Sequence, residues 1–137
     1  MRGLRWLLLV PGVIAAWYAT FILGVVAYAV LERAACPPAD WRSGTCYNSE
    51  VDRLLESVSY AFVALSAVAV VVAAALIAPS RTNVVAWSAY AVGGVAACIL
   101  GVAGEAPVEA LAALGSGLVA AIATTTLVSR QPGRVAT

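Results

Sequence analysis

The sequence predicts an all-α integral membrane protein. It is expected to have four antiparallel transmembrane helices joined by short loops, with both termini cytoplasmic. Three observations carry this. Of 137 residues, 63% are hydrophobic and 11% charged, with a mean hydropathy of +0.95; a soluble domain is about half apolar and about a quarter charged. The apolar residues gather in four stretches, about 6–31, 57–78, 84–103 and 107–128, none holding Lys or Arg. The arginines between the stretches fall unevenly on the two sides. At about 1.5 Å per residue each stretch can cross a hydrocarbon core roughly 30 Å thick. The whole chain, 1–137, reads as a single four-helix domain, with 32–56 as its one sizeable loop.

The first stretch follows Arg2 and Arg5. Its length exceeds the 7–15 residues typical of a signal-peptide core, so it reads as a span rather than a cleaved leader. Pro11-Gly12 within it predicts a bend, because Pro removes a backbone bond. The second helix is expected to start near Glu50 and to stand about two turns out of the membrane. Ser49-Glu50-Val51-Asp52 has the form of a capping-box variant. Pro79 ends that helix, and 79–83 reads as a turn in which Thr82 or Asn83 caps the third. Gly104 is placed to close the third helix and Pro107 to open the fourth.

Four spans put Arg2, Arg5, Arg81, Arg130 and Arg134 on one side, with no acid beside them. The other side receives all seven acids of the chain, with Arg33, Arg42 and Arg53. The net charge of +1 therefore hides a strong asymmetry. The positive-inside rule makes the arginine side cytoplasmic. Ala and Arg richness without any Lys suggests a bacterial source, hence a multi-pass protein of the cytoplasmic (inner) membrane.

The cysteines agree with this placement. Cys36 and Cys46 both fall in the outer loop, where an oxidising compartment favours their pairing. Cys98 lies within the third span without a partner at its depth and serves as a small apolar residue. The Cys36–Cys46 spacing lacks the Cys-x-x-Cys pattern of redox centres and has no second pair, so a structural disulfide is expected. Trp41, Arg42 and Tyr47, within or beside this ring, are residue types that anchor interfaces and form a candidate partner-binding surface.

Glu105 and Glu109 sit four apart at the outer start of the last span. They are a candidate ion or solute mouth, or simply an interfacial pair favoured by the helix dipole. Three rows of small residues at i+4 spacing suit close helix approach: Gly12-Ala16-Thr20-Gly24, Ala89-Gly93-Ala97-Gly101 and Ala113-Gly117-Ala121-Thr125. The second helix lacks such a row and is expected to face lipid or a partner more than the others. Trp17 and Tyr18 fall at mid-span, where their polar atoms call for partners on neighbouring helices.

The chain has no His, and its one Met is Met1. Haem, His-ligated metal and Lys-dependent cofactors are therefore not expected, and neither are a phosphate loop nor a basic nucleic-acid stripe. No metal site and no catalytic cluster is recognisable. In outline the plan is similar to claudin-like and tetraspanin-like bundles, but their signature residues are absent and no residue role is carried over. The leading expectation is a non-enzymatic accessory, assembly or interaction subunit of a larger membrane complex. Its partners would be the bilayer and other membrane subunits or further copies of itself. The alternative is a small oligomeric transporter or channel for an ion, lipid or small solute. A membrane enzyme using Glu, Arg and Tyr side chains comes third.

Overall fold

The computed structural model describes residues 2–78 and 81–129. Four helices dominate: α1 (Arg2–Ala35), α2 (Ser49–Ile77), α3 (Thr82–Ala103) and α4 (Pro107–Ser129). All four are long and apolar enough to cross a membrane. Between α1 and α2 lie a 3-10 turn (Pro38–Asp40) and a two-stranded ribbon of β1 (Trp41–Arg42) and β2 (Thr45–Cys46). Arg130 and Arg134, the expected basic tail and the Pro79-Ser80 part of the second turn lie outside the described residues.

Helix ends follow local chemistry, often one residue away from expectation. α1 continues past Leu31 to Ala35, since Glu, Arg and Ala propagate a helix well. Pro37 and Pro38 then exclude further helix. α1 also runs through Pro11, whose missing N–H leaves the Leu7 carbonyl without its helical donor. The cap of α2 is Asn48 rather than Ser49. Its Oδ1 accepts N–H bonds from Glu50 (3.0 Å) and Val51 (3.3 Å), satisfying two of the helix's orphan donors.

Neither Thr82 nor Asn83 caps α3. Arg81 holds that position in the left-handed region with φ 52° and makes no side-chain cap bond, so Thr82 is already helical. At the far end Gly104 has φ −95°, and Glu105 is the left-handed residue with φ 53°. The Ala106 N–H donates to the Gly101 carbonyl at 2.9 Å and the Glu105 N–H to Val102 at 3.5 Å. This is the bond pattern of a Schellman cap, with Glu where Gly is usual.

The packing reverses one expectation. α2, predicted to be the most outward-facing helix, packs against all three others, and α3 also packs against α4. One buried cluster joins Val71 to Ala86, Ala120 and Ala121; a second joins Ala74, Ala78 and Val85, with Leu9 and Val13 of α1 against it. α2 needs no small-residue row of its own, because its neighbours supply the small residues. Gly24 of α1 approaches the Phe62 side chain so closely that an added Cβ would lie 3.1 Å from it. Gly12 meets Ile77 more tightly still. The same Cβ on Gly117 of α4 would lie 3.2 Å from the Tyr90 ring and 3.7 Å from Ala67. Close approach of this kind is how helices gain contact when lipid is as apolar as they are.

Candidate functional site

Two regions gather the residues of interest. The first is the α1–α2 loop, which is tied down at every stage. Cys36 and Cys46 form a disulfide with Cα atoms 5.9 Å apart. The ribbon pairs Trp41 with Cys46 and Arg42 with Thr45. Its two turn residues, Ser43 (φ 52°) and Gly44 (φ 88°), both have positive φ, as a type I′ hairpin turn requires. Glu32 of α1 accepts the Cys46 N–H at 3.1 Å. Asp40 accepts the Tyr47 N–H on its backbone oxygen at 3.0 Å and the Asn48 Nδ2–H on its carboxylate at 2.8 Å. Asn48 in turn caps α2, so the loop is continuous with both helices.

The predicted interface trio divides. Arg42 and Tyr47 come together with Asp40 and Ser43 around a shallow depression of about 450 Å³. Trp41 does not line it, because successive strand residues face opposite sides. Tyr47 is 69% exposed and Trp41 36%.

The second region is a groove of about 790 Å³ between α1 and α3, floored by α2 and α4. It exists because α2 holds α1 and α3 apart along the middle of the bundle. Gly93 shows the gap directly, since an added Cβ there would meet nothing within 4 Å. The lining is apolar and aromatic, with Trp17, Phe21, Tyr28, Phe62 and Tyr90 among it. The hydroxyls of Thr20 and Ser66 are spent on carbonyls of their own helices, at 2.8–3.1 Å. Among the described residues, Glu109 is the one charged side chain in the lining.

The predicted pair Glu105 and Glu109 also divides. Glu105 precedes the first turn of α4, in the left-handed cap, so helical spacing does not align it with Glu109. Glu105 is exposed, whereas Glu109 is half-buried and reaches the groove. Among the described residues no hydrogen bond or ion pair engages the Glu109 carboxylate, and neither Arg33 nor Arg53 reaches it. Ser59 lines the same end: it precedes Ala67 by as many residues as Glu109 precedes Gly117, and Ala67 and Gly117 are neighbours.

No protein-family profile, curated protein or solved structure matches the chain. Its chemistry must therefore be read from the arrangement itself. Among the described residues no three His, Cys, Asp or Glu side chains converge as a metal site would require. The free thiol of Cys98 is exposed on α3.

The groove was the feature that sequence reasoning missed, and one signal pointed toward it. Trp17 and Tyr18 stood out as aromatics at mid-span. Neither makes a hydrogen bond to a neighbouring helix among the described residues. Instead Trp17 packs edge-on to Tyr18 at 4.9 Å and stacks on Phe21 at 5.9 Å, so the Trp17 and Phe21 rings furnish the α1 wall of the groove. A second unforeseen contact is the hydrogen bond from the Tyr60 hydroxyl to the Glu56 carboxylate, one turn apart on α2.

Proposed function

We propose that this chain is a non-enzymatic, four-helix integral membrane protein that acts as an accessory or assembly subunit of a larger membrane complex. The single observation behind this reading is the α1–α2 loop. It is held by a disulfide, a ribbon and the bonds of Glu32, Asp40 and Asn48, and it presents Arg42 and Tyr47 at its surface. A surface ordered before contact loses little conformational freedom on binding, which favours recognition. Four apolar helices support membrane insertion. The contacts of Gly12 with Ile77 and Gly24 with Phe62 suit antiparallel neighbours within one domain. The division of arginines and acids favours cytoplasmic termini, and the Lys-free composition favours a bacterial inner membrane.

A second reading, an oligomeric transporter or channel, draws on the groove and on Glu109 as its mouth. Purification in mild detergent separates the two. The subunit reading expects other chains to be recovered in fixed stoichiometry, and a lone homogeneous species overturns it. Thiol labelling after reduction tests orientation: reagent added outside should reach Cys36 and Cys46, and labelling that requires permeabilisation reverses the topology.

A further inference from the structure

We propose that the groove between α1 and α3 is a binding site for a lipophilic organic cation, with its charge against Glu109 and its apolar body among the groove's rings. The inference goes beyond the subunit reading and holds whether the chain works alone or in a complex. Three independent features point the same way. The volume, about 790 Å³, lies within the range of roughly 300–1,000 Å³ typical of small-molecule sites. Five of the chain's eleven aromatic residues line it, and aromatic faces attract organic cations. The lining's one charge is negative and carries no counter-ion among the described residues.

The charge of the lining disfavours the opposite sign. A bound anion would face the Glu109 carboxylate, and two of the lining hydroxyls, Thr20 and Ser66, already direct their protons at backbone carbonyls. Among the described residues no Arg side chain lines the groove. A half-buried carboxylate in apolar surroundings gains most from a partner that brings positive charge with little hydration to lose. Delocalised organic cations have that character; small inorganic cations do not.

The test uses the full chain in dodecyl maltoside micelles, with tetraphenylphosphonium as probe and triphenylphosphine oxide as a neutral comparator, by equilibrium dialysis. Saturable binding of the cation is expected, with the neutral compound at least about tenfold weaker, the scale of one desolvated cation–π or ion-pair contact. Glu109→Gln should weaken the cation about tenfold and leave the neutral compound unchanged. Gly93→Phe should weaken both, because its ring fills the gap. Asp52→Asn removes an exposed acid on α2 away from the groove and should change neither. Absence of saturable cation binding by the wild-type chain overturns the proposal. So does a Glu109→Gln variant that binds the cation as well as wild type, or an equal loss in Asp52→Asn, which would assign the effect to general surface charge. Helical circular dichroism verifies folding of each variant. Should Glu109→Gln fail to fold, Gly93→Phe decides: unchanged cation binding there overturns the proposal.

Discussion

The seam between α3 and α4 is closed, while the seam between α1 and α3 is open. Two adjacent glycines make the contrast plain. A Cβ on Gly94 would lie 3.0 Å from Leu114 of α4, whereas one on Gly93 would meet nothing within 4 Å. Further along α3, Gly101 is tighter still, with an added Cβ 2.6 Å from Ala110 Cβ and 3.3 Å from the Ala106 carbonyl. Gly93 and Gly101 belong to the same small-residue row. Such a row marks where helices can approach, but what faces it decides whether they do. On the open side α1 leans mainly on α2, with Leu9 and Val13 against the cluster that includes Val85 of α3 and the tied loop at its other end.

The largest effect should come from breaking the closed seam. Gly101→Leu forces a side chain into the space of Ala110 and the backbone of the α3–α4 turn. A loss of about 3 kcal/mol or more is expected, the upper range for overpacking, read by denaturing-detergent titration in mixed micelles. A loss below about 1 kcal/mol would mean that the seam opens readily. Next, Cys36→Ser with Cys46→Ser tests how far α1 depends on the loop. So short a ring contributes roughly 2–3 kcal/mol by chain-entropy arithmetic. The same titration should show that loss, with proteolysis of the 36–48 segment accelerated; unaltered stability would mean that helix packing alone anchors α1. Asn48→Ala removes the α2 cap and should cost about 1 kcal/mol, seen as a lower thermal midpoint by circular dichroism.

The smallest effect should separate the two adjacent glycines. Gly93→Ala should be neutral or stabilising by about 0.5 kcal/mol, because a helix gains from Ala over Gly when space is free. Gly94→Ala should show no such gain, since Leu114 must first give way. Equal responses in the two variants would erase the distinction between the seams.

Much of the architecture is legible in the sequence because bilayer-length apolar runs and paired loop cysteines are local signals. Four stretches without Lys or Arg become four helices, and Cys36 finds Cys46. Helix ends are less legible. Asn48 and Ser49 are both good caps, and only the Asp40–Asn48 bond, formed across the loop, favours the former. The central position of α2 is illegible for a different reason: the glycines that admit it, Gly12 and Gly24, sit on another helix. The groove is a property of three-body packing, so Glu109 and Glu105 look alike in sequence and differ in surroundings. Trp41 parts from Arg42 through strand alternation, which a loop of unknown conformation does not announce.

Among the described residues, every connection between helices contains one non-glycine residue with left-handed backbone: Ser43, Arg81 and Glu105, at φ 52°, 52° and 53°. For a residue with a Cβ this conformation costs roughly 1–2 kcal/mol, a penalty that Gly escapes. Arg81 is the most telling, since its side chain makes no cap bond to the helix it precedes. Arg81→Gly therefore separates two quantities that ordinarily move together. It eases the backbone and erases a positive charge in one step, so a chain that becomes more stable yet inserts in mixed orientations would identify Arg81 as a residue kept for direction rather than for fit.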